Sequence, residues 1–171
     1  MKHISKDGVK RLNLGSGQNP LKGWINVDLY SDVSGTVKMD VRQLEYPDNY
    51  ADEILAHMII EHLPKKDVLP SLKEWNRVLK PDGKIIIATI DLDGLCRDWL
   101  DKEKTVEIEG RETDYTYNLR GFYGHQSDEG QFHHIGFDFP FLHKLMTEAG
   151  FIKINLLPTN HTHHLYVEAR K

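Results

Sequence analysis

The sequence predicts an α/β fold in which one mostly parallel β-sheet is flanked by helices. The run over 84–90 has consecutive apolar residues, as expected of a strand that is covered on both faces. Between 67 and 79 the apolar residues recur at helical spacing. Two apolar runs near the end are separated by too few residues for a crossover helix, so they predict an antiparallel pair.

The first two predicted strands are joined with no room for a full helix. Residues 10–14 form an apolar strand that enters a turn containing Gly15 and Gly17, and the next strand ends at Asp28. The intervening residues 18–23 include a proline and a glycine, so the first crossover helix is predicted to be shortened or absent. Glycine lets a ligand approach the backbone closely, and a carboxylate at the tip of the next strand can accept hydrogen bonds from a ribose diol. The stretch therefore predicts a site for a cofactor that contains a nucleoside.

The middle of the chain predicts a third strand, a fourth strand, a helix and a central strand, over 37–41, 52–57, 67–79 and 84–90. Asp67 is the expected N-cap of the helix, and the turn 81–83 is expected to end it. Near the end of the chain we predict a helix with Gly150 as its C-cap, followed by two antiparallel strands, over 140–149, 151–157 and 164–169.

The segment 91–138 differs from the rest of the chain. A helix can start over 95–100, but the residues that follow are rich in glycine, tyrosine, histidine and charge and show no sustained period. A loop of this length inside a compact domain is usually functional. We therefore predict a single domain over 1–171 in which the insert 91–138 is a lid over the substrate.

Composition and charge narrow the classes of function. The formal net charge of −4 makes nucleic acid an unlikely partner, because phosphate binding needs clustered Lys and Arg. No stretch approaches the roughly 18 apolar residues of a membrane span, and no signal peptide precedes the first strand. The single cysteine, Cys96, fits a reducing compartment. A cytoplasmic location with no membrane association is therefore expected.

Five features in the right order resemble the class I S-adenosylmethionine-dependent methyltransferases, most of all small members with a shortened N-terminal half. They are LNLGSG at 12–17, NVD at 26–28, DEILAHMIIEHL at 52–63, EWNRVLKPDG at 74–83 and the terminal antiparallel pair. The resemblance covers 10–90 and 138–169 and implies a Rossmann-like sheet. A nicotinamide dehydrogenase would also use a strand-end acid, but the missing third glycine and the terminal hairpin disfavour it.

The resemblance implies S-adenosylmethionine as the cofactor. Gly15 and Gly17 would let the backbone pass under its methionyl tail, and Asp28 would hold both ribose hydroxyls. The remaining implied contacts are Asn13 with the ammonium group, Leu29 over one adenine face, Asp40 with the adenine amino group, the Val41 amide with the ring, and Ala56 and His57 beside the sulfonium. Asp28 could instead be a solvated carboxylate, Asp40 a helix cap, and His57 a packed histidine.

The sequence leaves the roles of two further histidine-containing groups undecided. Glu61 and His62 occupy a common Glu-His position of the family, where the pair is either catalytic or structural. His161, His163 and His164 would place two rings on one strand face and one on the other, and no nearby Cys or acid completes a ligand set. No metal site is predicted from them.

Methyl transfer from a sulfonium needs a nucleophile in line with the leaving sulfur, and an oxygen nucleophile also needs a proton acceptor. The insert supplies polar candidates, of which His133 and His134 are the predicted catalytic bases; the others are Tyr115, Tyr117, Arg120, Tyr123 and His125. We expect methylation of a small-molecule or glycan-like acceptor. The alternative function is a non-catalytic module that binds S-adenosylmethionine. Separately, the sheet edge left exposed by the missing helices would suit a homodimer.

Overall fold

The computed structural model describes residues 8–102, 106–108, 111–113, 115–161 and 163–171, with the backbone alone for 106–108, 111–113 and 115. Within these ranges the chain forms nine strands and four α-helices. They are β1 (Arg11–Leu14), β2 (Ile25–Asp28), β3 (Thr36–Lys38), β4 (Ala51–His57), α1 (Lys65–Val78), β5 (Leu79–Ile90), α2 (Leu92–Leu100), β6 (Val106–Ile108), β7 (Arg111–Thr113), α3 (Leu119–Tyr123), α4 (Phe139–Glu148), β8 (Ile152–Leu157) and β9 (His164–Arg170).

Seven of the strands make one sheet in the order β3-β2-β1-β4-β5-β9-β8. The first five strands of this order run parallel, and β9 is antiparallel to both of its neighbours. Leu12 lies opposite Ile25 on one side and Ile54 on the other, so the turns after β1, β2 and β4 leave the sheet at the same edge. The sheet is flanked by helices, which confirms the predicted α/β architecture and its C-terminal antiparallel hairpin.

The connection from β1 to β2 replaces the usual helix with a loop. Residues 15–24 are all described and contain turns and bends but no helix, which confirms the predicted loss of the first crossover helix. The Asn26 side chain holds this loop, because its Oδ1 accepts the Leu21 N–H at 2.8 Å and its Nδ2 donates to the Leu21 carbonyl at 3.0 Å. The buried Asn26 amide thus orders this loop in the absence of a crossover helix.

Two expectations about the ends of α1 were wrong. The helix begins at Lys65 with Pro64 in the N-cap position, so Asp67 is not the N-cap but an acid of the first turn, where it suits the positive end of the helix dipole. The turn 81–83 does not end the helix, because Leu79 already adopts extended geometry and joins β5. The turn is instead an irregularity inside β5, with Asp82 at a φ of +59°. Similarly, α4 has Ala149 as its C-cap, and Gly150 follows it at a φ of +94°.

The core lies between the sheet and the packed helices. Apolar side chains of the central strands are fully buried, and Trp75 of α1 is buried against them. The helix expected to start over 95–100 is α2, which begins at Leu92. The part of the insert after it contains the separate β6–β7 pair, α3 and short 3₁₀ turns, although the sequence shows no sustained period there. Among the described residues, no helix has the length and apolar character needed to cross a membrane.

Candidate functional site

A cavity of about 710 Å³ lies at the edge of the sheet where the parallel strands end. Its walls come from the turns that follow β1, β2, β3 and β4, and from the 3₁₀ turn of the insert at Glu129–Gln131. In open α/β sheets, ligands bind at the carboxyl ends of the strands. A volume of this size is typical of sites that enclose a cofactor-sized molecule.

The turn after β1 packs against the segment after β4. Gly15 has a φ of +69°, and a Cβ added there would lie 2.6 Å from Cγ1 of Ile59. Gly17 also has a positive φ, and its N–H donates to Oδ2 of Asp28 at 2.8 Å. Both glycines line the cavity; at Gly15 the missing Cβ makes room for the Ile59 side chain, and the predicted close approach of a ligand to the backbone stays a prediction.

Asp28 at the end of β2 ties two turns together. Its Oδ1 accepts the N–H groups of Tyr30 and Ser31, each at 2.8 Å, while Oδ2 accepts the N–H of Gly17. The Ser31 hydroxyl adds a 2.6 Å hydrogen bond to the Gly17 carbonyl. A carboxylate has about four lone-pair sites, so Oδ2 retains capacity for a hydroxyl of a ligand in the cavity.

The loop after β3 lies at another part of the same cavity. The Arg42 guanidinium beside Asp40 lowers the pKa of that carboxyl, and the two side chains are paired at 2.7 Å. Arg42 also pairs with Asp67 in the first turn of α1 at 3.0 Å. The alternative role predicted for Asp40 was a helix cap. Asp40 does accept a main-chain hydrogen bond, from the Arg42 N–H at 2.9 Å, but no helix follows within 41–50, all of which is described.

The predicted cofactor residues divide into two groups. Six of them line the cavity: Gly15, Gly17, Asp28, Leu29, Asp40 and Val41. Asn13, Ala56 and His57 are not among the lining residues. Asn13 is buried and donates to Oδ1 of Asn26, Ala56 is fully buried within the sheet, and Nε2 of the exposed His57 lies 3.3 Å from the Tyr166 hydroxyl.

A second cavity of about 360 Å³ shares Met58, His62 and Gln131 with the first. Its wall contains several of the insert candidates, namely Tyr117, Arg120, His125 and His133. His134 borders the first cavity instead, so the two predicted bases face different spaces. Tyr123 is exposed and does not line either cavity, and the side chain of Tyr115 lies outside the described residues.

Glu61, His62 and His133 form a cluster in which His62 lines both cavities, His133 lines the second, and Glu61 is buried behind them. One carboxylate oxygen and one ring nitrogen from each histidine lie within 4.8 Å of one another. Burial raises the pKa of Glu61 to about 7, and burial, with the charge of His133 next in effect, lowers the pKa of His62 to about 4. By contrast, His163 of the His161–His164 group pairs with Asp98.

Sequence reasoning missed two parts of the first cavity. The segment after β4 contributes several lining residues, which are Met58, Ile59, His62, Leu63 and Pro64, and the insert contributes residues 128–131. The motif DEILAHMIIEHL contains the first group, so its position directly after a strand was an available signal. The second group has no such signal, because only the fold brings it to the sheet edge.

A family model described as a methyltransferase domain matches residues 12–87. A S-adenosylmethionine-dependent methyltransferase from Archaeoglobus fulgidus is 17% identical, with a TM-score of 0.68 over 96% of this chain and 87% of that one. A second such enzyme, from Mesorhizobium loti, is 15% identical, with a TM-score of 0.63 over 100% and 94% of the two chains. The 1,6-didemethyltoxoflavin-N1-methyltransferase of Burkholderia thailandensis, solved with 1,6-didemethyltoxoflavin and S-adenosylhomocysteine, is 18% identical, with a TM-score of 0.63 over 96% and 72%. A search of curated proteins gave no match.

Proposed function

We propose that the chain is a class I S-adenosylmethionine-dependent methyltransferase whose methyl acceptor is a small polar molecule or a glycan-like compound held in the second cavity. The observation that carries the proposal is the junction of the two cavities at Met58 and His62. An acceptor in one cavity would then meet a cofactor in the other. In-line transfer requires this kind of contact between two adjoining spaces.

The first cavity has residues suited to each part of S-adenosylmethionine. The turn at Gly15 and Gly17 would contact the methionyl tail, and Oδ2 of Asp28 would accept a ribose hydroxyl. The Val41 N–H and the Asp40–Arg42 pair would lie at the adenine end, where Asp40 shares its carboxylate between Arg42 and the ligand. Leu29 is 37% exposed at the rim, so it has apolar surface left to cover with a ring.

The walls of the second cavity favour a polar acceptor. Tyr117, Arg120 and His125 supply hydrogen-bond donors and one fixed positive charge. An acceptor with several hydroxyl groups would satisfy these side chains better than an apolar one would. A polymer of phosphates is disfavoured, since the described lining has a single arginine and no lysine and the whole chain carries a net charge of −4.

The bound cofactor supplies an electrophilic methyl group on a sulfonium. When the nucleophile of an acceptor formed its new bond to this carbon, the bond from carbon to sulfur would break and S-adenosylhomocysteine would leave. An acceptor hydroxyl also loses a proton, which we assign to the His133–His134 pair. The Nδ1 of His133 lies 2.6 Å from the Gly121 carbonyl, so its Nε2 is the nitrogen free to accept.

The insert 91–138 would act as a lid within the single domain 1–171. Its residues 128–131 line the first cavity, while Tyr117 and Arg120 line the second. Main-chain hydrogen bonds fix its second half to the sheet edge, including His134 N–H to the Glu61 carbonyl at 2.8 Å. The single cysteine, Cys96, is exposed and supports a reducing location such as the cytoplasm.

The test is a turnover assay with S-adenosylmethionine and a panel of phenols, sugars and amines, in which S-adenosylhomocysteine release is measured. We expect turnover with at least one polar acceptor, and loss of the base in His133→Gln or His134→Gln should lower kcat about 10²–10⁴-fold. His143→Gln, which changes an exposed histidine on α4, is the matched control. Cofactor binding without turnover on the whole panel would instead favour the non-catalytic module.

A further inference from the structure

The group formed by Glu61, His62 and His133 is assembled from two distant parts of the chain. Glu61 and His62 belong to the 3₁₀ turn after β4, and His133 lies near the end of the insert. Two hydrogen bonds join these parts, from the His134 N–H to the Glu61 carbonyl and between Nδ1 of His62 and the Phe132 carbonyl at 3.1 Å. The three side chains are therefore held together by main-chain contacts on both sides.

Both histidine rings have a fixed orientation. Nδ1 of His62 faces the Phe132 carbonyl and Nδ1 of His133 faces the Gly121 carbonyl. A carbonyl oxygen only accepts, so each Nδ1 carries the hydrogen and each Nε2 is left with a free lone pair. Histidines that bind a metal commonly donate their other N–H to a carbonyl in this way, which fixes the tautomer and the ring plane.

Within the described part of the chain, no cationic side chain pairs with Glu61. Its side chain is fully buried, and the Thr89 hydroxyl donates to Oε2 at 3.0 Å. Oε1 has no hydrogen-bond partner among the residues that the structure describes. Burying a carboxylate is costly unless a cation or hydrogen bonds compensate it.

We propose that Glu61, His62 and His133 bind one divalent transition-metal ion of the zinc class. Two histidines and one carboxylate form a ligand set used for catalytic zinc and for non-haem iron, whereas Mg²⁺ prefers oxygen ligands alone. In a tetrahedral site, ligand atoms at 2.0–2.2 Å from one ion lie about 3.3–3.6 Å from each other, so side-chain rotations would have to shorten the present spread of up to 4.8 Å on ion binding.

The open coordination positions of this ion would face the acceptor. His62 and His133 both line the second cavity, and His62 also borders the first. Resting on the proposed function, we assign the ion to an oxygen of the acceptor, since a bound cation makes a hydroxyl more acidic. Nε2 of His133 would then be committed to the metal instead of acting as the base, and the hydroxyl proton would pass to solvent, because His134 borders the first cavity and not the second. No electron changes hands in this step.

The experiment is a Co²⁺ titration of purified protein that has been stripped of metal with a chelator. We expect one equivalent to bind, with visible absorption that Zn²⁺ abolishes by competition and millimolar Mg²⁺ does not. Glu61→Gln, His62→Ala and His133→Ala should each weaken Co²⁺ binding at least about 100-fold, more than the 10–100-fold typical of changes to outer partners of a ligand. His143→Ala and His134→Gln should bind as the wild type does.

The wild-type titration decides the proposal even if a variant fails to fold. The absence of stoichiometric Co²⁺ binding overturns it, and so does binding that survives in all three ligand variants. If either result is obtained, the three side chains form a cluster without a metal ion, in which Glu61 is protonated. S-adenosylhomocysteine binding is measured on the same samples: if it persists without metal binding, only the metal site is rejected, whereas loss of both in the wild type rejects the proposed function as well.

Discussion

The carboxylate of Asp28 accepts hydrogen bonds from three main-chain N–H groups that belong to two different turns. Charge-assisted bonds of this kind contribute more than neutral ones, on the order of 1.5–3 kcal/mol each. The residue therefore organises the turn after β1 and the turn after β2 before any ligand binds. A substitution here changes the shape of the cavity as well as one contact in it.

Replacement of Asp28 should separate these two roles. Asp28→Asn keeps one oxygen for the N–H groups of Tyr30 and Ser31 but loses the charge, so we expect S-adenosylhomocysteine to bind about 10- to 100-fold more weakly. Asp28→Ala should bind still more weakly and also lower the free energy of unfolding. Calorimetric titration and urea denaturation measure both effects.

Asp32→Asn is the matched control for Asp28. Asp32 is exposed, pairs with Lys38 at 2.9 Å and does not line the cavity. Its substitution should leave S-adenosylhomocysteine binding unchanged. Equal affinity of wild type and Asp28→Asn would show that the ribose does not contact this carboxylate.

At the level of elements, α1 supports the loop after β3, which lines the first cavity with Asp40, Val41 and Arg42. Trp75 is fully buried in the helix, and its Nε1–H donates to the Val41 carbonyl at 2.8 Å. Arg42 beside Val41 pairs with Asp67 in the first turn of the same helix. Since β3 ends at Lys38 and no helix follows it in 39–50, α1 provides the order that this connection lacks.

Trp75→Phe tests this support. The change leaves the Val41 carbonyl buried without its donor, which costs about 1–3 kcal/mol of folding free energy, and S-adenosylhomocysteine should bind more weakly because the loop shifts. Trp24→Phe makes the same chemical change at a partly exposed ring of the β1–β2 loop and should have a smaller effect on both quantities. Equal losses in the two variants, measured by urea denaturation and calorimetric titration, would contradict the role of this hydrogen bond.

Elements with a clear apolar period were predictable from the sequence, and short ones were not. The consecutive apolar residues of β5 and the helical spacing of α1 are patterns within each segment, so the sequence predicted correctly that these elements exist and that one is a strand and the other a helix. The helix start was misplaced because Pro64 takes the cap position, where Asp67 was the expected residue. The strands β6 and β7 have three residues each, too few to show any period.

The same distinction applies to the site. Gly15, Gly17 and Asp28 are predictable because each follows a strand and acts within its own turn. The meeting of His62 with His133 is not, because it depends on two hydrogen bonds that join the insert to the turn after β4: from the His134 N–H to the Glu61 carbonyl, and between the His62 ring and the Phe132 carbonyl. In the sequence, the histidines considered for metal binding are the adjacent ones near the C-terminus, and in the structure His163 pairs with Asp98.

For the whole molecule, the folded state disfavours protonated histidine. The chain has 10 histidines, and burial is the largest cause that lowers the pKa of three partly buried ones, which are His62, His133 and His164. Each such group binds its proton more readily in the unfolded chain, so acid favours unfolding. Glu61 acts in the opposite direction, because its raised pKa stabilises the folded state as the pH falls from about 7 toward 4.5.

His164→Gln isolates one of these contributions. Burial, followed by the charges of His161, His57 and His163, lowers the pKa of His164 to about 4 from 6.5. Its contribution to stability is therefore present above pH 6.5 and is lost as the pH falls to about 4, by on the order of 1–3 kcal/mol. We expect urea denaturation at pH 7.5, 5.5 and 4.5 to show that the variant loses less stability on acidification than the wild type does. His143→Gln, at an exposed position, should follow the wild type, and parallel curves for wild type and His164→Gln would show that this ring titrates alike in the folded and unfolded states.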